Sequence, residues 1–354
     1  MASLFKNKKS HKEEHQFPET LSGFGYEFNK DGKLQNSKTG EGFQFVVKEG
    51  DQAYNQRHYE ALGEVVTDEI YKLLESECNL KRAPVPYDAT EDDDSTFVFH
   101  SDDALSNPDK LLVLIHGSGV VRAGQWSRRL IINDSLKSGS QIPFIQEAQK
   151  EGYGILVTNT NDNYRNNRGK IKSSENPESH ALHVWKHYIH GAKAKHIAII
   201  AHSYGGCVVT SLFTRVQEEF TRRVFAVAMT DSVHYMSDTS PFKDLVKVSR
   251  NWVCSQEPLD TPVKTHSGDI TRVSAGVTVH EQTSWASFTS IFKFLRERLS
   301  AVKGDVGVTC SEGGGGEDTS EATNEKSCGK GDKGGSCVTE EEEKEDAKKM
   351  RKDT

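Results

Sequence analysis

Ser203 stands in IAIIAHSYGGCVV (197–209), where an apolar β-type run enters a serine flanked by small residues and a second apolar run leaves it. A serine turns nucleophilic when a sharp turn exposes it beside a base that takes its proton. It also needs an acid to orient that base and N–H donors where the oxyanion forms. Ala-His-Ser-Tyr-Gly fits the nucleophile-elbow pattern G-x-S-x-G with Ala201 at the first small position. Small residues are required there because the elbow brings strand and helix backbones together, and Gly205 and Gly206 meet that need on the helix side. HGSG at 116–119, directly after KLLVLI, has the character of an oxyanion turn. The backbone of Ser118 or Gly119 would donate one N–H and that of Tyr204 the other; the bland alternative is a tight glycine turn that binds nothing.

The base should follow the last strand and precede the final helix. Of 14 histidines, only His280, in AGVTVHEQTSW, meets both conditions. His183, His187 and His190 recur at helical spacing and read as a partly exposed face, while His202 reads as packed inside the elbow. The orienting acid is expected at Asp260, in SQEPLDTPV just after NWVCS. Glu257 in the same loop and Asp231, which ends AMTD, are the alternatives. The chain order Ser, Asp, His is that of the α/β-hydrolases.

Such residues need a frame that brings strand ends together. KLLVLI (110–115), YGILVTN, HIAIIA and VFAVAMTD are continuous apolar runs, the mark of strands buried on both faces. Helical patterns separate them: PFIQEAQKEG, HALHVWKHYIHGA and CVVTSLFTRVQEEF, with WASFTSIFKFLRERL last. NWVCS and ITRVSAG supply two further strands. Alternation of this kind predicts an α/β fold, an α/β-hydrolase-like, mostly parallel sheet wrapped on both faces, over residues 101–300. Residues 21–100 read as an extension packed on it. Within it, GFGYEF-NKDG-GFQFVV predicts a hairpin, and 54–77 predicts a helix with Leu62, Val65, Val66, Ile70, Leu73 and Leu74 on one stripe. Residues 1–20 form a charged arm. Residues 301–354, rich in Gly, Ser and charge, bury too little apolar area to offset the entropy of ordering and read as disordered.

Composition narrows the function classes. A formal charge of -7 gives no electrostatic case for binding DNA. The N-terminus is polar within a few residues and no apolar run is long enough to span a bilayer, so neither a secretory signal nor a membrane partner is expected. The six cysteines form no C-x-x-C pair, which argues against a zinc site or disulfide framework and for a reducing compartment. No phosphate-binding or dinucleotide glycine motif occurs, and neither a cofactor nor a metal is expected. NTNDNYRNNRGKIK (159–172), rich in Asn, Arg and Lys, reads as a surface loop, with a substrate mouth or a phosphate contact as the sharper alternatives.

The span from about Phe24 to Leu299 resembles the Argonaute-binding-protein-two domain family, which includes animal cotranscriptional regulators of alternative splicing. The resemblance rests on GFGYEFNKDGKL, VLIHGSG, AIIAHSYGG, AMTDSVH, NWVCSQEPLD and VHEQTSW with SFTSIFKF. It implies an α/β-hydrolase-like fold and carries the nucleophile onto Ser203. It further implies a regulatory adaptor in nucleus and cytoplasm, with Argonaute and chromatin-associated or splicing factors as partners. The chain ends KMRKDT, without the endoplasmic-reticulum retention tail of some animal members. Two functions are therefore expected: an adaptor, which the resemblance favours, or a serine hydrolase acting on an ester or acyl group through Ser203, His280 and Asp260.

Overall fold

The structure is a computed structural model that describes residues 16–165, 168–236 and 240–305. The charged arm up to residue 15 and the tail from 306 onward, with Cys310, Cys328 and Cys337, lie outside the described residues.

The apolar runs become one eight-stranded sheet. Its strands are β1 (Leu80–Val85), β2 (Thr96–Ser101), β3 (Lys110–Ile115), β4 (Gly154–Val157), β5 (His196–His202), β6 (Val224–Thr230), β7 (Ser249–Val253) and β8 (Arg272–Ser274). Across the sheet the order is β8-β7-β6-β5-β3-β4-β2-β1, with β2 antiparallel to both neighbours and every other pair parallel. Helices α1 (Gln52–Ser76), α2 (Arg128–Asn133), α3 (Ile142–Lys150), α4 (Pro177–Val184), α5 (Gly205–Arg215) and α6 (Phe288–Asp305) cover it. This is the α/β-hydrolase-like architecture.

Strand periodicity sorts the core into two layers, because successive side chains leave a strand on opposite faces. Leu112, Leu114 and Ile200 join Leu62, Ile70, Phe144 and Phe292 on the face covered by α1, α3 and α6. Leu111, Val113, Ile199 and Ala201 join Val184, Val208 and Leu212 on the face covered by α4 and α5. Every residue named in these layers is at least nine-tenths buried, so the sheet that carries the elbow is wedged between two close-packed layers.

The structure departs from expectation in the N-terminal third. Residues 80–101 do not belong to an extension: β1 and β2 are strands of the main sheet, with Val85, Val98 and Phe99 fully buried in its layers. The hairpin exists, but Tyr26–Phe28 pairs with Leu34–Asn36, not with GFQFVV. The NKDG turn is tightened by Asn29 Oδ1, which accepts from the N–H groups of Asp31 and Lys33, so the chain re-pairs at once. Val46 and Val47 are left exposed. The helix expected over HALHVWKHYIHGA begins instead at Pro177, behind an Asn176 cap, and widens to a π-helical turn over Trp185–Ile189.

Candidate active site

The elbow forms where β5 meets α5. Ser203 has φ +52, a backbone region that a side chain occupies at a cost of about 1–3 kcal/mol and that neighbours must hold. They do: Ser203 N–H donates to Thr230 O at 3.0 Å, and Ser203 O accepts from Gly206 N–H at 3.1 Å and Val233 N–H at 3.0 Å. The glycines are required by distance. A Cβ on Gly205 would lie 3.0 Å from Ile115 O, and one on Gly206 would lie 1.7 Å from Ser232 Oγ. A Cβ on Gly117, in the HGSG turn, would come to 3.0 Å from Ser203 Cβ. Elbow and turn therefore touch, as the two motifs suggest.

His280 opens a short 3₁₀ turn, His280–Gln282, between β8 and α6. Its Nδ1 lies 2.7 Å from Asp231 Oδ2. A carboxylate only accepts, so Nδ1 carries the hydrogen; in the neutral ring the lone pair then falls on Nε2, the tautomer a general base needs. Asp231 directly follows β6 at φ +41, a left-handed position that aspartate tolerates. Its Oδ1 accepts from Cys254 N–H and its Oδ2 from Cys254 Sγ, both at 3.1 Å. Burial by itself would raise this carboxyl, but the bonds from His280 and Cys254 outweigh it and hold the group down at about 2. Burial, reinforced by the Asp231 charge, pushes the Cys254 thiol well up, so the sulfur stays protonated as a donor.

The acid expected at Asp260 is elsewhere engaged. Asp260 Oδ1 accepts from Trp252 Nε1 at 2.7 Å and its Oδ2 from Ser290 Oγ at 2.6 Å, so this carboxylate ties the β7–β8 loop to α6. Glu257 is exposed. The carboxylate on His280 is Asp231, the alternative given less weight from sequence. Both aspartates follow adjacent strands, Asp231 directly after β6 and Asp260 seven residues beyond β7, and their bonding partners separate them.

His202 is buried, as expected. Its Nδ1 lies 3.0 Å from Thr230 O, and burial, with His280 nearby, lowers its pKa to about 3. A neutral ring thus lies against His280, centroids 4.7 Å apart, and backs it without competing for the proton. Tyr204, expected to give one oxyanion N–H, caps α5, and its hydroxyl donates to Glu178 Oε1 at 2.7 Å. Ser118 and Gly119 are exposed, with Gly119 at φ +94.

Sequence reasoning missed a second serine–histidine–aspartate chain. Ser232 Oγ is 3.2 Å from His234 Nδ1, and His234 Nε2 is 2.9 Å from Asp269 Oδ1. The N–H groups beside this serine are already engaged: Ser232 N–H donates to Asn251 Oδ1 and Val233 N–H to Ser203 O. With these two N–H groups taken and no room for a Cβ on Gly206 beside its oxygen, Ser232 is a brace for the loop that carries Asp231. The motif AMTDSVH held the signal, in Ser and His two residues apart. Among the described residues, no three His, Cys, Asp or Glu side chains converge as metal ligands would, and no helix is long and apolar enough to cross a membrane.

The sequence model of the Arb2 domain matches residues 17–173 and 162–259. The chain belongs to the Arb2 domain family. Its Arb2 match includes Ser203 and Asp231, while His280 lies beyond it. The chain is 43% identical to the chicken protein named cotranscriptional regulator ARB2A homolog, over 82% of this chain and 83% of that one. Identity to human cotranscriptional regulator ARB2A is 44%, over 80% and 82%. The Dictyostelium discoideum homolog is 33% identical, over 79% and 80%. Among solved structures, a histone deacetylase from Saccharomyces cerevisiae aligns at TM-score 0.44 and 14% identity, over 68% of this chain and 98% of that one.

Proposed function

We propose that this Arb2 chain is a cotranscriptional regulator, the function its chicken and human relatives are named for, and that its domain is a serine acyl hydrolase. The observation that carries the chemistry is the 2.7 Å contact of His280 Nδ1 with Asp231 Oδ2, with Ser203 held at positive φ at the end of the adjoining strand. Ser203 Oγ attacks the carbonyl carbon of an ester or acyl group as its proton passes to His280 Nε2. Asp231, ionised, steadies the imidazolium that forms. The N–H groups of Tyr204 and of the Ser118–Gly119 turn receive the oxyanion, His280 returns the proton to the leaving group, and water repeats the sequence on the acyl-enzyme. The regulatory half of the reading rests on the family: action in the nucleus with a cytoplasmic pool, and Argonaute and chromatin-associated or splicing factors as partners.

The test is labelling of the purified chain by a fluorophosphonate, comparing wild type with Ser203→Ala and His280→Ala. Stoichiometric labelling lost in both variants supports the reading. A folded wild type that takes no label overturns the hydrolase half and leaves the domain as a scaffold, to be followed by capture of Argonaute and splicing factors from nuclear extract.

A further inference from the structure

The asparagine-rich loop after β4 stands beside the HGSG turn. Asn159, Asn161 and Asn163 alternate, and each side chain ties down a different stretch of backbone. Asn159 Oδ1 accepts from Ala123 N–H at 2.9 Å, and Asn163 Nδ2 donates to Thr160 O and Ser174 O, both at 2.8 Å. Asn161 alone grips the turn. Its Nδ2 lies 2.9 Å from Gly117 O, 3.1 Å from Gly119 O and 3.1 Å from Val121 O. Two amide hydrogens are shared among three carbonyls. Arg122 Nη1 supports the same row at 3.2 Å from Val120 O and 3.1 Å from Val121 O, and His116 Nδ1 lies 2.8 Å from Gly117 O.

Topology gives this grip a direction. In the sheet, β3 lies between β4 and β5. The turn leaving β3 therefore has Asn161, from the β4 exit, on one flank and Ser203, from the β5 exit, on the other. Within a trans peptide, a C=O and the next N–H point to opposite sides. Carbonyls of Gly117 and Gly119 held on the Asn161 flank turn the N–H groups of Ser118 and Val120 to the opposite flank. Gly117 itself abuts Ser203 Cβ, so those donors belong to the side where the tetrahedral oxyanion develops.

We infer that Asn161 is a positioning residue for the oxyanion site, orienting the Ser118 N–H by holding the carbonyl face of the 117–121 turn. The inference rests on the serine-hydrolase reading. It makes the ligand of the turn a tetrahedral anion, such as an acyl intermediate or a phosphonyl adduct. The acidic group is excluded from this role by chemistry, since Asn161→Asp would face three carbonyl oxygens with acceptors only.

The experiment is the rate of fluorophosphonate labelling of the full chain from pH 5 to 9, with melting temperature recorded, for wild type, Asn161→Ala, Asn161→Asp and Asn163→Ala. Removing an oxyanion donor outright lowers rates about 10²–10³-fold; Asn161→Ala, which only releases the donor, is expected to lose about 10-fold, and Asn161→Asp about 100-fold. The midpoint of the pH profile stays where it is in wild type, because Asn161 touches neither His280 nor Asp231 but only the carbonyls of the turn. Asn163→Ala loses the bonds to Thr160 and Ser174 in the same loop without touching the turn, and labels within about twofold of wild type. Should Asn161→Asp fail to fold, Asn161→Ala carries the comparison. A labelled wild type with both Asn161 variants unchanged overturns the inference alone, as does a shift of the pH midpoint or an equal loss in Asn163→Ala. A folded wild type that takes no label overturns the hydrolase reading and this inference with it.

Discussion

Asp231→Asn separates the two candidate acids. Asp231 serves two sets of donors: Oδ1 accepts from Cys254 N–H, and Oδ2 from His280 Nδ1 and Cys254 Sγ. An asparagine has one oxygen to offer. If it keeps the Cys254 N–H bond, its NH₂ faces His280 and forces the imidazole hydrogen onto Nε2, where it cannot take the serine proton. If it turns the oxygen to His280, two N–H donors oppose each other at the Cys254 backbone, at a cost of about 1–3 kcal/mol. The fold tolerates the change, because asparagine accepts the positive φ of this position as readily as aspartate. Loss of the carboxylate from a triad of this type lowers the rate about 10⁴-fold. Asp260→Asn should do the reverse: it weakens the bonds to Trp252 and Ser290, lowers stability by about 1 kcal/mol, and leaves labelling near wild type. The assay is the second-order rate constant for fluorophosphonate labelling, with urea unfolding alongside. Asp231→Asn labelling within threefold of wild type while Asp260→Asn goes silent would refute the assignment.

Three further outcomes follow from the same contacts. Gly206→Ala puts a Cβ 1.7 Å from Ser232 Oγ and 2.7 Å from Val233 O, where backbone blocks relief, and should lose about 3 kcal/mol or more in urea unfolding. Asp231 is ionised in the folded chain down to about 2 but protonates near its ordinary 3.8 when unfolded, so it stabilises the fold above pH 4. That contribution, about 2 kcal/mol, fades as pH falls from 3.8 towards 2, and acid-titrated stability of Asp231→Asn should lack that segment of the curve. His234→Leu strips Ser232 and Asp269 of their shared partner and should lower stability by about 1–3 kcal/mol. Because Asp231 and His280 remain, labelling persists; its complete loss in a folded His234→Leu would instead make Ser232 the reacting serine.

The contrast between the two aspartates also marks how far a sequence reaches. Strand runs such as KLLVLI were legible because burial on both faces leaves an unbroken apolar signature, and β3 spans those six residues. The positions of Ser203, after β5, and His280, between β8 and α6, were legible because chain order and the ends of strands constrain where a candidate nucleophile and base can stand. The acid was not, because β6 and β7 are neighbours and each is followed by an aspartate at positive φ, Asp231 at +41 and Asp260 at +67. What assigns Asp260 to a structural bond is Trp252 eight residues before it and Ser290 thirty residues after, a pairing that no periodicity encodes. Asn161 failed for a related reason. Composition marks 159–172 as a polar loop, and polar loops ordinarily meet water; the alternation of Asn159, Asn161 and Asn163 was the one sign of side chains turned inward to backbone. A polar residue acquires its role from the carbonyl or carboxylate it reaches across the fold. Sites made of paired charges and amides are therefore written in three-dimensional neighbours, whereas the sheet beneath them is written in the local pattern of the chain.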